Sequence, residues 1–132
     1  MKRLIVIALL LITPVVPASA FNPGIYDILM QAGEDYILTV TESNNGTPIN
    51  LSGTTYAAQF RSAPAPAGIV FATYSAFTNN PAAGNITVKL SKAQTLAQSG
   101  AAGVWDLRRT DASGLVSYRL SGKCIVRPTV TR

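Results

Sequence analysis

Chemistry in this chain would have to come from six carboxylates and one thiol, because its 132 residues include no histidine. The acids are Asp27, Glu34, Asp35, Glu42, Asp106 and Asp111, and the thiol is Cys124. Histidine is the commonest general base and metal ligand near neutral pH, so its absence removes most nucleophile–base pairs and most metal centres. Two carboxylates could still act as the acid and the nucleophile or base of a glycosidase. The sequence, however, gathers no aromatic groove around these acids, and Trp105 is its only tryptophan. One cysteine without histidine forms neither an intrachain disulfide nor a zinc cluster. Cys124 sits in the alternating run KCIVR and reads as a small buried hydrophobe. The glycines stand singly beside turn residues, not in a phosphate-cradling loop. These readings predict no catalytic residue, no cofactor, no metal and no small-molecule substrate.

The elements that would position these side chains read as strands. DYILTVTE sets Tyr36, Leu38 and Val40 on one face and Ile37, Thr39 and Thr41 on the other. TTYAAQFRS turns Tyr56, Ala58 and Phe60 inward, and NITVKL does the same for Ile86, Val88 and Leu90. Further runs are residues 25–31, IVFATYSAF, GVWDLRRT, LVSYRL and KCIVR, the last two separated by a break at Gly122. Between the runs lie turn signals: AGED, the Asn45-Gly46 dipeptide, APAPAG, TNNPAAGN and DASG. One stretch differs. In LSKAQTLAQSG, Ser91 followed by Gln94 is a capping-box signature, and it predicts a helix over about residues 91–98 that carries the chain between sheets, with Leu96 covering one end of the core. Strands recurring near every ten residues predict an all-β fold, an antiparallel β-sandwich of about seven or eight strands with one short helix. The expected core is Tyr36, Leu38, Val40, Leu51, Tyr56, Phe60, Ile86, Val88, Leu90, Leu96, Trp105 and Leu107.

A hydrophobic content of 48% against 13% charged residues excludes a disordered chain, and the length suits one domain. Eleven Lys and Arg against six acids give +5; without Lys2 and Arg3 nine remain, or +3. That balance is mild. Arg108, Arg109, Arg119, Lys123, Arg127 and Arg132 fall in the last quarter, and they read as solvated strand faces and edge protection rather than a nucleic-acid stripe.

The first twenty residues, MKRLIVIALLLITPVVPASA, form a segment apart from the domain at residues 21–132. A basic start, an apolar run and Ala18-Ser19-Ala20 have the three-part pattern of a secretory signal. About 20 apolar residues are needed to span a bilayer, and Pro14 and Pro17 interrupt this run before that. Two outcomes stay open: a cleaved signal, or a retained arm. A retained arm would bury Leu4, Ile5, Val6, Ile7, Leu9, Leu10, Leu11 and Ile12 against another chain or a membrane, and these are the candidate assembly contacts.

The order of these pieces resembles the small immunoglobulin-like domains common in tailed-phage structural proteins, such as the N-terminal domain of phage baseplate upper proteins. The resemblance runs over about residues 25–132. It is carried by Gly33-Glu34-Asp35-Tyr36, the alternating strand after it, Pro48-Ile49-Asn50-Leu51-Ser52-Gly53, and a strand ending Gln59-Phe60-Arg61. GNITVKLS, a short helix, GVWDL, a hairpin and LSGKCIVRPTVT then follow in order. The resemblance implies an immunoglobulin-like fold and a virion structural protein, associated with tail, baseplate or fibre or decorating the capsid. It would be present in many copies and packed against other virion proteins. Taken at face value, the leader implies the alternative of a secreted or periplasmic adhesion or pilus-like module.

Overall fold

A computed structural model describes residues 23–130. The leader and its candidate contacts at residues 4–12 lie outside the described residues, as does Arg132. In chain order the elements are β1 (Gly24–Ile25), β2 (Ile28–Gln31), β3 (Tyr36–Thr41), β4 (Ser43–Asn44), β5 (Thr47–Pro48), β6 (Thr55–Arg61) and β7 (Val70–Asn80). A 3-10 turn (Pro81–Ala83), β8 (Asn85–Leu90), α1 (Lys92–Ala97), β9 (Ala102–Thr110) and β10 (Val116–Arg127) follow. The described residues are mostly β with one short α-helix, as the spacing of apolar runs predicts.

Eight strands form one sheet in the order β1-β10-β9-β6-β7-β8-β3, with β2 also on β10. The first half of β7 pairs with β6 and its second half, from Ser75, with β8. The sheet therefore curls over along β7, and one buried cluster joins residues from β2, β6, β7, β8, β9 and β10. β4 and β5 make a separate small hairpin whose turn uses Asn45 and Gly46, both at positive φ. The expected uniformly antiparallel arrangement is not what forms. β1 and β2 run parallel to β10, so the sheet is mixed. Parallel neighbours need a long connection between them. Here residues 32–115 separate β2 from β10 and serve as that connection.

Two sequence-level boundaries also move. The run 25–31 is split at Tyr26 and Asp27, because both residues are used across the sheet. Tyr26 accepts the Trp105 indole N–H at 2.7 Å through its carbonyl, and Asp27 accepts the Lys123 N–H at 2.9 Å through its side chain. Conversely, Gly122 does not break the chain. β10 runs straight through it, with its irregularity instead between Tyr118 and Leu120. A Cβ at Gly122 would stand 2.3 Å from the Tyr26 carbonyl oxygen, so glycine is required there by close approach.

The core holds Leu51, Tyr56, Phe60, Ile86, Val88, Leu90, Trp105 and Leu107 as expected, together with Ile28, Met30, Tyr74, Cys124 and Val126. Tyr36, Leu38 and Val40 pack against it but stay half-buried, because β3 ends the sheet. Leu96 departs from expectation and is 38% exposed. The helix docks through Thr95 instead. That side chain is fully buried; its hydroxyl accepts the Gly33 N–H at 3.0 Å and lies 2.8 Å from the Glu34 carbonyl, to which it donates. Both halves of the capping box at Ser91 and Gln94 form, and the Asp35 carboxylate accepts the Lys92 N–H at 2.7 Å.

Trp105 is 2% exposed, bonded to Tyr26 and in contact with the Tyr74 ring at 5.9 Å. Trp105→Ala should cost roughly 3–5 kcal/mol, read as a fall in the urea midpoint. A loss below about 1 kcal/mol would remove the indole from the account of the core.

Candidate functional site

The six carboxylates are not brought together. Asp27 and Asp35 accept backbone N–H groups, as described. Asp111 organises the hairpin turn between β9 and β10, where it accepts the N–H of Ser113 and of Leu115 and the Ser113 hydroxyl. The hydrogen bonds to Ser113, then that to Leu115, hold its carboxyl below the ordinary value. Glu34 is exposed in the turn on which the helix rests. Among the described residues no three acids, cysteines or histidines approach closely enough to hold a metal ion. Asp35 caps the helix and Asp111 organises a turn, roles that suit an acid beside free backbone N–H groups, whereas Asp27 ties β10 across the sheet.

Glu42 is different, and sequence reading did not single it out. It follows β3, is 6% exposed, and its carboxylate accepts the Tyr56 hydroxyl and the Arg119 Nε–H, with Arg109 Nη1 at 3.5 Å. Tyr56 lies near the start of β6, Arg109 near the end of β9 and Arg119 on β10, so one side chain just after the end strand reaches three strands of the sheet's other half. Its backbone is held as firmly. The Glu42 N–H donates to the Gly84 carbonyl at 2.8 Å, and its carbonyl accepts from Ile49 at 3.0 Å. Gly84 sits at φ 72°, and a Cβ there would stand 2.4 Å from the Glu42 carbonyl oxygen. Burial, reinforced by the bond to Glu42 and its charge, pushes the Tyr56 phenol well above its ordinary value.

This cluster revises the reading of the basic residues. Arg109 and Arg119 are not solvated strand faces; their side chains are only 19% and 21% exposed and turn toward Glu42. The Arg109 Nε is buried with no hydrogen-bond partner among the described residues. Arg108, Lys123 and Arg127 do face water. An unbroken basic stripe therefore does not form along β9 and β10. The signal that could have found Glu42 was weak: one acid closing an alternating apolar strand, with paired arginines far along the chain.

Asp106 lies on the outer face of the sheet, in a groove of about 570 Å³ shared with Gln59, Arg61, Arg108 and Tyr118 and walled by Pro64. Desolvation raises its carboxyl above the ordinary value, against the lowering effect of Arg61 and Arg108. It is the one acid lining that groove, so no second carboxylate stands beside it for glycosidase chemistry. Arg61 is committed elsewhere: it donates to Gln59 Oε1 and to the Gly68 carbonyl, pinning the proline-rich loop. A second groove, about 690 Å³, lies at the end of the sheet between Leu96, Ala93 and the segment 128–130. Large apolar side chains in water include Ile25, Leu29, Ile37, Ile69, Val70, Phe77, Leu115, Val116 and Ile125, on strands or at their ends, besides Leu96 on the helix and Val130 beyond β10.

Compared with known proteins, the sequence matches no family model and no curated protein.

Cys124 is fully buried, 3.2 Å from the Tyr74 hydroxyl, and burial pushes its thiol up to about 11. At pH 8 iodoacetamide should leave the native thiol unmodified and react once urea unfolds the chain, because the thiolate is the nucleophile. Rapid alkylation of the native protein would contradict the burial of β10's inner face.

Proposed function

We propose that the chain is a non-enzymatic structural protein of a bacteriophage virion: an immunoglobulin-like β-sandwich acting by protein–protein packing in the tail, baseplate or fibre, or on the capsid surface. The observation that carries this reading is the use made of the motif residues behind the resemblance. Gly33 and Glu34 form the platform that takes the Thr95 hydroxyl, and Asp35 caps the helix. In the Pro48–Gly53 element, Asn50 accepts the Ser52 N–H and hydroxyl, Gly53 takes φ 77°, and Leu51 plugs the core at 1% exposure. Each of these positions therefore has a mechanical task in this fold, which supports the resemblance. Glu42, Tyr56, Arg109, Arg119 and Arg61 are also engaged in holding the frame, and strand edges, loops and exposed apolar side chains are surfaces available for partners. Other virion proteins are the partners this reading names.

The leader favours a second reading, a secreted or periplasmic adhesion or pilus-like module. Intact-mass measurement of the chain from gradient-purified particles separates the two. Recovery in the particles, in many copies, is the expected result. Recovery only from periplasm or medium, twenty residues shorter, would replace the virion reading with the secreted one.

A further inference from the structure

We propose that β3 is the acceptor edge for an added strand, and that the added strand is the apolar run at residues 4–12 of a second copy of this chain. The proposal rests on the virion reading only for the supply of many copies.

The two ends of the curled sheet are unequal. At one end β1 and β2 offer two and four residues, interrupted at Tyr26 and Asp27. Short, broken edges are a common protection against further pairing. At the other end β3 offers six consecutive residues, Tyr-Ile-Leu-Thr-Val-Thr, in unbroken register with β8 and, among the described residues, with no strand on the other side. It carries no charge, no proline and no bulge, and each of its residues favours strands save leucine. The Glu42 N–H bonds back toward Gly84 at the end of the β3–β8 pairing. Alternation along the strand then aims the N–H and C=O groups of Ile37, Thr39 and Thr41 away from β8, toward a new neighbour.

The side chains agree with the backbone. Tyr36, Leu38 and Val40 face the core yet stay half-buried, so the core is open along this edge. On the outer face Ile37 is 63% and Phe77 43% exposed. A strand laid beside β3 would cover the first set with one row of side chains and extend the second with the other.

The chain itself contains a segment of that chemistry. LIVIALLLI is nine apolar residues, within the 22 that precede Pro23. Extended, it would span roughly 30 Å, against about 20 Å for β3. In that extended form Ile5, Ile7, Leu9 and Leu11 would make one row and Leu4, Val6, Leu10 and Ile12 the other, with Pro14 suited to ending the added strand. In the strand order the chain enters at β1, at the other end from β3, and the curl brings the Tyr26 side chain to Tyr36; the many copies of the virion reading favour a neighbour's arm over the chain's own.

The test uses the purified full chain, its Ile7→Asp/Leu9→Asp variant and its Thr39→Pro variant, read by sedimentation and amide hydrogen exchange. Thr39→Pro removes an N–H that points away from β8, so the β3–β8 ladder should survive; Thr39→Lys is the second edge variant, and Trp105 emission reports folding in each. The full chain should form oligomers in which the Ile37, Thr39 and Thr41 amides exchange at least about tenfold more slowly than in the Ile7→Asp/Leu9→Asp variant. Both edge variants should be folded monomers. Oligomers that persist in the folded edge variants, a monomer whose edge amides are protected by its own arm, or a mature chain lacking the first twenty residues would each overturn the proposal. A monomeric chain found in particles refutes the edge and leaves the virion reading standing; an oligomer missing from particles does the reverse.

Discussion

A carboxylate at the end of β3 holds the two halves of the sheet together. Glu42 is taken almost wholly out of water, which is costly unless hydrogen bonds and opposite charges replace the solvent. Tyr56, Arg109 and Arg119 supply them, one from each of β6, β9 and β10. The arginines keep about a fifth of their side-chain surface in water, which lowers the desolvation cost of the cluster. Several other features exist because of this joint. Gly84 must be glycine so that the turn after β7 can approach the Glu42 carbonyl, and the bond from Ile49 starts the segment that delivers Leu51 to the core.

The other end of β3 is tied as well. Asp35 holds the first N–H of the helix, and the Thr95 hydroxyl holds the turn before β3. Among the described residues β3 thus has one strand neighbour, and it is anchored at both ends. A strand held this way keeps its free backbone groups in fixed register, where a flexible one would fray. Rigidity at both anchors and openness along one side are what a packing surface requires, and they connect the buried cluster to the proposed role in assembly.

Much of this fold was legible because period-two alternation is a local property. The inward sets on β6, β8 and β9 follow directly from it, and Ser91 with Gln94 and Asn45 with Gly46 announce a cap and a turn by their own chemistry. What escaped depends on residues distant in sequence. Gly122 looks like a breaker until the Tyr26 carbonyl is seen against it. Leu96 looks like the helix's inward residue, but the turn at Gly33 and Glu34 offers polar groups, and Thr95 fits them. The parallel pairing of β2 with β10 leaves no local mark at all. Glu42 stands out from the other acids only in the folded chain, since nothing nearby in the sequence reveals arginines 67 and 77 positions later.

The central physical claim is that Glu42 fastens the end strand to the sheet's other half by charge pairing in a nearly dry site. Urea denaturation of Glu42→Ala, beside a variant carrying Glu42→Leu, Arg109→Met and Arg119→Met together, tests it most directly. Removing the acid alone should cost about 3 kcal/mol, because it strands two largely buried guanidinium groups, whereas the triple variant should recover most of that loss. If Glu42→Ala stays within about 0.5 kcal/mol of the unaltered protein, the cluster is not the joint described here.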